Sequence, residues 1–519
     1  MYKNLFSVGA LTLLSRATGF ARDIMLAAAL GTGVLANAFY IAFRLPNHFR
    51  AIFGEGAFNA AYVPSYARVL ETEGAAPARS FANRIFTLLL ASQLVLLLLA
   101  WGFTPQALAV LAPGVDADPQ KLAYATAMTR ITFPYLLCIT LVLLQAGTLN
   151  ANGRFIAAAF APVLLNLVMI ACLAAAFIFP NAGIAASWGV ALAGLAQLTL
   201  LLGAAWRARV MARPAWPRLD SDVKRFFKSF GPAVIGSAGV QIALFADTII
   251  ASLIPDGVAL IYYADRIYQL PIGVIGVAAG AVLLPEMSRR HAAGDPGAAM
   301  HAQSRAMALT IALSAPFFIV FLIVPDLIMR GVFMRGRFTE QAAVASAHVL
   351  AAYAIGLLAV VLIASARASF QAKGDTTTPM IAALVSVALN VALKIALFHP
   401  YGAPGLAFAT AVGAWINFGL LAAIALRSGA MRLDATFWKI CAAVACASAL
   451  AALVAWLFPG AAERIAAVLP GFRNACGLLL VLAGVFLAYG LALVPLLALL
   501  GVRLSLRGGR APASASPHR

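Results

Sequence analysis

The sequence predicts an all-α membrane protein that crosses the bilayer many times. Three observations indicate this class: 63% of the 519 residues are apolar, only 11% are charged, and apolar stretches long enough to span a bilayer recur along the whole chain. A typical soluble domain has about 25% charged residues. The predicted architecture has about fourteen transmembrane helices, in two parallel six-helix lobes plus two extra C-terminal helices.

Fourteen apolar stretches are the basis of this count. Each has roughly 20 residues or more, which is enough to cross the hydrocarbon core. The first is too long for the apolar region of a signal peptide and lacks a clear cleavage site, so we expect it to be retained. The predicted segments are 5–30, 34–53, 81–104, 122–149, 155–179, 183–206, 230–254, 258–284, 303–329, 342–366, 377–398, 403–426, 436–458 and 474–500.

The basic residues indicate the orientation of these segments. The chain has a formal net charge of +19, and most Lys and Arg lie in one set of alternating loops, such as the loop from Arg207 to Arg225. By the positive-inside rule, these loops and both termini lie in the cytoplasm. Because the charges follow topology, they argue against a nucleic-acid partner.

An internal repeat organises the segments. Seven positions match in order at an offset near 222: Arg44 with Arg266, Gly54 with Gly276, Pro64 with Pro285, Asn166 with Asn390, Gly183 with Gly405, Gln197 with Asn417, and Arg207 with Arg427. Each repeat has an even number of segments, so both copies insert in the same orientation, and a substrate cavity is expected between them. The predicted domains are the lobes 1–220 and 221–432, the extra helices 433–504, and a disordered tail 505–519.

Arginines inside the first two segments are the main functional signal. Arg16 and the adjacent Arg22 and Asp23 lie in the first segment, and Arg44 and Arg50 lie in the second. Charges within a membrane usually face a wet cavity and mark a substrate path, and arginine suits phosphate because its planar fork stays charged. Arg266 adds a cation from segment 8. The acidic residues Asp23 and Asp265 are too few to balance these arginines, which favours an anionic ligand over ion pairs alone.

The second segment and its surroundings resemble a known family. This segment resembles the MurJ (MviN) family of lipid II flippases, and so do Gly19-Phe20-Ala21-Arg22-Asp23 and Tyr262-Tyr263-Ala264-Asp265-Arg266. The resemblance covers essentially the whole chain. That family belongs to a superfamily that also contains multidrug and polysaccharide-lipid exporters. The residues of the second segment that carry the resemblance are Asn37-Ala38-Phe39, Ala42-Phe43-Arg44-Leu45-Pro46-Asn47, Arg50, Ile52-Phe53, Glu55-Gly56-Ala57-Phe58 and Val63-Pro64.

The resemblance implies a function and a site. The family moves lipid II, an undecaprenyl-pyrophosphate-linked disaccharide pentapeptide, from the inner to the outer leaflet of the bacterial cytoplasmic membrane for peptidoglycan synthesis. It thus implies lipid II and membrane lipids as partners, with cell-wall synthesis proteins as further candidates, and a groove for the lipid tail at the last two helices. Its essential cavity arginines fall on Arg16, Arg22, Arg50 and Arg266, with Asp23 beside Arg22 as a further substrate-binding residue. We expect supporting or gating roles for Asn37, Arg44, Asn47, Glu55 and Asp265. Many relatives carry an acidic residue in place of Asn37.

We expect alternating access driven by the membrane potential. Two other functions stay open at this point, namely export of another polyprenyl-pyrophosphate-linked oligosaccharide and multidrug antiport. A multidrug antiporter would need a cavity rich in carboxylates, and the arginines argue against it. The histidines and the five cysteines show no metal-ligand spacing, and no phosphate-binding glycine loop occurs. The sequence therefore predicts a transporter without a cofactor rather than an enzyme.

A second polar group lies within segments 7 and 11. Asp247 is in the former, and Asn390 and Lys394 lie one turn apart in the latter. Asp, Asn and the nearby Thr410 offer hard oxygen ligands that suit a monovalent cation. The ammonium of Lys394 would occupy similar space and pair with Asp247, so the sequence favours an ion pair over a cation site.

Overall fold

The fold is all-helical throughout the part of the chain that the structure describes. The computed structural model describes residues 2–50, 57–116, 118–467 and 472–502, and no strand occurs in these ranges. Long apolar helices alternate with short turns, as the recurring apolar stretches of the sequence predict. The predicted fold class is thereby confirmed. The predicted disordered tail, 505–519, lies outside the described residues.

Twenty α-helices form this part of the chain. A 3₁₀ turn follows α9 at Ala176–Ile178, and a five-residue π-helix, Ile272–Gly276, follows α12. The α-helices are α1 Tyr2–Leu30, α2 Val34–Arg50, α3 Ala57–Thr72, α4 Ala75–Gly102, α5 Thr104–Leu111, α6 Pro113–Asp116, α7 Pro119–Thr132, α8 Pro134–Ala151, α9 Ile156–Ala174, α10 Ala182–Arg207, α11 Ser221–Ser252, α12 Gly257–Pro271, α13 Val277–Ala292, α14 Pro296–Ile323, α15 Pro325–Phe333, α16 Glu340–Gln371, α17 Thr377–Arg427, α18 Ala435–Leu457, α19 Pro459–Ala466 and α20 Arg473–Leu499.

Nine helical stretches among the described residues are long and apolar enough to cross a membrane: Ala75–Gly102, Pro119–Ala151, Ile156–Ala174, Ala182–Arg207, Gly297–Ile323, Glu340–Gln371, Thr377–Arg427, Ala435–Leu457 and Arg473–Leu499. The stretch Thr377–Arg427 contains two predicted segments, because its backbone breaks at Gly402 (φ 58°, ψ −140°) between Pro400 and Pro404. The helices α1, α2, α11 and α12 overlap predicted segments 1, 2, 7 and 8 and are not among the nine. The count of fourteen spans stays a prediction.

Side-chain caps mark where several helices begin. The carboxylate of Asp118 accepts hydrogen bonds from the backbone N–H groups of Gln120 and Lys121 at the start of α7. An N-cap of this kind satisfies N–H groups that lack a partner within the helix and stabilises it by about 1 kcal/mol. The same role falls to Asn181 at α10, Asp220 at α11, Asp295 at α14 and Asp434 at α18.

The chain packs as two compact units. The first comprises residues 1–267, 328–353 and 387–410, and the second comprises 268–327, 354–386 and 411–519. In the first, glycines let helices approach closely, since Gly189 of α10 lies against Met169 of α9. In the second, the Tyr489 hydroxyl of α20 donates to the Ala312 carbonyl of α14, 2.7 Å away. Small residues and hydrogen bonds of this kind hold helices together in lipid. The lobe boundaries at residues 220 and 432 stay a prediction.

Candidate functional site

The candidate site begins with two adjacent charges on α1. Arg22 donates from Nε and Nη2 to the same carboxylate oxygen of Asp23, over 3.1 and 2.7 Å. Both side chains are buried, with 7% and 4% of their surfaces exposed. A buried ion pair is tolerated only when further hydrogen bonds satisfy its remaining polar atoms. Those partners come from helices that are distant in sequence.

Helix α12 supplies the second half of the site. The Tyr262 hydroxyl donates to Asp23 Oδ1 over 3.0 Å and accepts from Arg266 Nη2 over 2.8 Å. Arg266 Nε lies 3.1 Å from Asp23 Oδ2, at ion-pair distance, although its N–H does not point at that oxygen. One turn of helix separates Tyr262 from Arg266, so the guanidinium also lies over the tyrosine ring, 4.6 Å from its centre.

A third helix fixes Arg22 from the other side. Asn166 of α9 accepts from Arg22 Nη1 over 3.0 Å, while its own Nδ2 donates to the Ser15 carbonyl and to Thr18 Oγ1. It lies against Gly19, where an added Cβ would be 3.3 Å from Nδ2. Sequence reasoning did not assign Asn166 to the site; its match with Asn390 in the repeat was the available signal. We call Arg22, Asp23, Asn166, Tyr262 and Arg266 the arginine cluster.

The charge of the arginine cluster is unbalanced. Its two guanidiniums surround one carboxylate, and Asp23 accepts its hydrogen bonds from Arg22 and Tyr262, both members of the cluster. Arg266 has 36% of its side chain exposed, whereas Asp23 has 4% exposed. The net positive charge is therefore most exposed at Arg266. Such a site suits an anion, because a guanidinium can bind phosphate oxygens in a bidentate manner.

Aromatic rings hold the cluster in position. The ring of Tyr40 on α2 stacks on Tyr262, with centroids 3.9 Å apart, and meets Tyr263 edge-on. The Tyr263 hydroxyl donates to the Gly31 carbonyl at the end of α1 over 3.0 Å. Gly31 has a positive φ of 65°, and a Cβ there would lie 2.5 Å from the Arg337 carbonyl oxygen. Only glycine fits this close approach, which ties the end of α1 to the segment before α16.

Asn37 connects the start of α2 to the start of α12. Its Oδ1 accepts from the Ala259 N–H over 3.1 Å, and its Nδ2 donates to Asp256 over 3.0 Å. Nδ2 also donates to the carbonyls of Thr32 and Gly33. Partial burial raises the pKa of the Asp256 carboxyl, against the lowering effects of Lys121 and of Asn37. The amide of Asn37 therefore suits this position, because a carboxylate at residue 37 would face the carboxylate of Asp256.

The other predicted site residues lie elsewhere on α1, α2 and α12. Arg16 is exposed on α1, six residues before Arg22, and Asp265 lies next to Arg266. At the end of α2, Arg50 donates from Nε to Asn47 Oδ1 over 2.9 Å. Arg44 is half-buried on the same helix. The hydrogen bonds and ion pairs described above join Arg22, Asp23, Asn166, Tyr262 and Arg266 to one another. Glu55 lies outside the described residues.

The polar group predicted in segments 7 and 11 comes together on α11 and α17. Lys394 donates to Asp247 Oδ1; 4% of the lysine side chain is exposed and 36% of the aspartate. Asn390 instead donates to the Ala409 carbonyl over 3.2 Å, across the break in α17. Thr410 donates to its own helix at Leu406. We call Asp247 and Lys394 the lysine pair. Among the described residues, no group of three or more His, Cys, Asp or Glu could hold a metal ion.

Comparisons with known proteins agree on one family. Residues 26–469 match the sequence profile of the family described as "Lipid II flippase MurJ". A protein of Rhizobium meliloti (strain 1021) named "Probable lipid II flippase MurJ" is 38% identical over 471 residues, or 88% of both chains. One of Burkholderia cenocepacia named "Lipid II flippase MurJ" is 32% identical over 467 residues, covering 88% of this chain and 90% of its own.

Solved structures share the fold. The structure titled "Lipid II flippase MurJ, inward closed conformation" superposes with a TM-score of 0.76 at 22% identity, over 95% of this chain and 98% of its own. An inward-facing multidrug resistance transporter of the MATE family, in the MOP superfamily, gives a TM-score of 0.66 at 15% identity, over 82% of this chain and 98% of its own. At these identities, the likeness concerns the fold alone.

Proposed function

The chain belongs to the lipid II flippase MurJ family, and on that premise we propose that its arginine cluster binds the pyrophosphate of lipid II while the lipid crosses the membrane. The protein is a multi-pass membrane protein that acts as a lipid II flippase in peptidoglycan synthesis. Its task is transport, so the functional residues bind and release a lipid rather than convert it.

The unbalanced positive charge of the arginine cluster carries this proposal. Arg266 is the more exposed arginine of the cluster, with 36% of its side chain accessible, and its guanidinium has N–H groups besides the one that Tyr262 accepts to offer to oxygens of a pyrophosphate. Arg22 is buried, and three of its donors are engaged by Asp23 and Asn166. We therefore assign substrate contact to Arg266 and a positioning role to Arg22, which holds the carboxylate that in turn orients Arg266. Arg16 and Arg50, on α1 and α2, are further arginines proposed to meet the pyrophosphate along its path.

Alternating access driven by the membrane potential is the proposed mechanism. The two repeats rock between states that open to either side of the membrane. The interior of the cell is negative, so an anion that moves outward gains about 2.3 kcal/mol per charge for each 100 mV. The empty cluster is net positive and is drawn back inward by the same field. In sealed vesicles with lipid II in the loading leaflet, flipping is expected to fall when an ionophore collapses the potential; an unchanged rate would contradict this scheme.

The arrangement in the membrane follows the charge of the loops. We propose that both termini lie in the cytoplasm, because the basic loops, including the one from Arg207 to Arg225, share one side. Membrane lipids and cell-wall synthesis proteins are the proposed partners besides lipid II. Reporter domains fused to each end would test the orientation, and a reporter active outside the cytoplasm would overturn it.

The decisive experiment replaces the chromosomal flippase of a depletion strain by variants of this chain. We expect Arg266→Gln to leave lipid II in the inner leaflet and to cause lysis, whereas Arg266→Lys retains charge and part of the activity. Arg427→Gln removes an exposed arginine at the end of α17 and serves as the control. The readout is the fraction of lipid II that an externally added lipid II-cleaving enzyme reaches.

The outcomes separate the proposed site from the function. If Arg266→Gln restores growth and a normal distribution of lipid II, the arginine cluster is not the substrate site. If the wild-type chain fails to restore lipid II in the outer leaflet but exports another polyprenyl-pyrophosphate-linked oligosaccharide or a drug, the substrate assignment is wrong. Membrane levels of each variant, measured by immunoblot, exclude a trivial loss of protein.

A further inference from the structure

An apolar groove lies between the start of α9 and the end of α10 in the first compact unit. Its volume is about 500 Å³, and it is lined by Phe160 of α9 and by Leu200 and Ala204 of α10. The helices α9 and α10 run antiparallel and share many contacts, so the start of one lies level with the end of the other. At that level, two arginines line the same groove, Arg154 just before α9 and Arg207 in the last turn of α10.

The two arginines carry charges that the described residues do not balance. Both are exposed, and neither guanidinium has a hydrogen-bond or ion-pair partner in the part of the chain that the structure describes. Other arginines at this end of the unit are paired: Arg68 contacts Asp222 and Arg84 contacts Asp220. No acidic side chain lines the groove. Its mouth is therefore a place where two positive charges converge without an anion.

Exposed apolar residues at this mouth are of the kind that lies at a membrane surface. Trp206, next to Arg207, is 63% exposed, and Phe155 and Ile156 at the start of α9 are 40% and 55% exposed. Tryptophan is enriched at the level of lipid headgroups, and basic pockets between transmembrane helices bind anionic headgroups. The first turn of α9 has no side-chain cap, which adds to the positive potential there.

We propose that this groove binds one anionic diacyl phospholipid. Its phosphate lies between Arg154 and Arg207, and part of one acyl chain lies along Phe160, Leu200 and Ala204. A sugar-peptide headgroup does not fit this lining, because the groove offers no polar side chain besides the two arginines. The occupant is thus a bulk lipid of the surrounding bilayer, distinct from the ligand of the arginine cluster.

The test measures which lipids stay bound to the purified full-length protein. The protein is reconstituted in nanodiscs with equal amounts of phosphatidylglycerol and phosphatidylcholine, and the retained lipids are counted by native mass spectrometry. Wild-type protein is expected to retain phosphatidylglycerol preferentially. Arg154→Gln and Arg207→Gln each lower its affinity about fivefold, because a basic residue near an anionic surface contributes at that scale. Arg427→Gln, at the repeat position that matches Arg207, leaves retention unchanged.

A second variant tests the acyl-chain part of the groove. Ala204→Phe fills the space beside Leu200 while both arginines keep their charge, and it is expected to lower phosphatidylglycerol retention as well. A photoreactive phosphatidylglycerol should label peptides of α9 and α10 in the wild type. Equal retention of phosphatidylcholine, an equal loss in Arg427→Gln, full retention in Ala204→Phe, or labelling of this groove by a photoreactive polyprenyl pyrophosphate in preference to phosphatidylglycerol would each overturn the proposal.

Discussion

The arginine cluster and the lysine pair each contain an aspartate at a matching position of the predicted internal repeat, but they expose opposite charges. Asp23 matches Asp247 and Asn166 matches Asn390, both at a separation of 224 residues. In the cluster, the carboxylate is buried and the cation Arg266 is 36% exposed. In the pair, the ammonium of Lys394 is buried, and Asp247 is the side chain that is 36% exposed.

The two groups therefore differ in the charge that they leave over. Two guanidiniums around Asp23 leave one positive charge over, whereas one ammonium beside Asp247 leaves none. The partners of the two matching asparagines also differ in charge. Asn166 accepts a hydrogen bond from the guanidinium of Arg22, whereas Asn390 donates to the neutral backbone carbonyl of Ala409. An anion is attracted to the first site alone. We therefore expect changes in the cluster to affect transport and changes in the pair to affect stability.

The largest effect is expected from Asp23→Asn. This change keeps the shape of the side chain but leaves the buried guanidinium of Arg22 without its counter-charge. Removal of one partner from a buried ion pair destabilises a protein by about 3–5 kcal/mol. We expect a marked fall in the unfolding temperature in detergent and no growth of a depletion strain. A variant with wild-type thermal stability would show that Asp23 does not hold the cluster.

A double-mutant cycle on the lysine pair should give the next largest effect. Asp247→Asn leaves a buried ammonium unpaired, whereas Lys394→Met leaves a carboxylate that is 36% exposed. We expect the first single change to lower the unfolding temperature more than the second. The double variant should recover most of the loss, with a coupling of about 1–3 kcal/mol.

Activity provides the control for the lysine pair. Flipping by the double variant should return towards the wild-type rate, because among the described residues the pair shares no hydrogen bond or ion pair with the arginine cluster. Sodium-dependent flipping that disappears in Asp247→Asn would contradict the ion pair and favour a cation site. Additive losses in the double variant would show that Asp247 and Lys394 do not interact.

The matched asparagines give a smaller and more selective difference. Asn166→Ala removes a hydrogen bond to a charged group, which contributes about 1.5–3 kcal/mol, whereas Asn390→Ala removes a neutral one of about 1 kcal/mol. We expect Asn166→Ala to slow flipping in vesicles, since Arg22 then loses a fixed position, and Asn390→Ala to change only the unfolding temperature. Equal rates in both variants would contradict a positioning role for Asn166.

The sequence indicated the fold class and the charged members of the site more readily than their arrangement. Long apolar stretches predict helices because each must satisfy its own backbone in lipid. Arg22, Asp23 and Arg266 were detectable because charge is expensive in a membrane. Asn166 and Tyr262 gave no such signal, since neutral polar side chains are common in membrane helices and their role depends on which helices meet.

Burial was a second feature beyond the reach of sequence. Arg22 and Arg266 look alike along the chain, yet one is enclosed by Asp23 and Asn166, and the other is partly open. The difference depends on packing between helices that are far apart in sequence. For the same reason, the sequence predicted that Asp247 and Lys394 form a pair but did not indicate which of the two side chains is exposed.

The smallest expected effect concerns the contact between Asn37 and Ala259, 222 residues apart. Asn37→Asp places a second carboxylate next to Asp256, whose pKa is already raised by partial burial. A like charge raises that pKa further. A carboxyl whose pKa is higher in the folded state than in the unfolded state, where it is about 3.9, gives its full stabilisation only below the unfolded value. That stabilisation is lost as the pH rises through the folded pKa.

The variant Asn37→Asp should therefore unfold at nearly the same temperature as Asn37→Leu at about pH 4, near the ordinary pKa of a carboxyl, and at a progressively lower temperature towards neutral pH. Asn37→Leu removes the same amide hydrogen bonds, including the one that lowers the Asp256 pKa, but adds no charge, so its deficit relative to wild type should grow less with pH than that of Asn37→Asp. Addition of Asp256→Asn to the Asn37→Asp variant should abolish the pH dependence, because one carboxylate then faces an amide as in the wild type. A pH-independent deficit in Asn37→Asp would mean that water separates the two carboxylates and that the amide at residue 37 matters only for its hydrogen bonds.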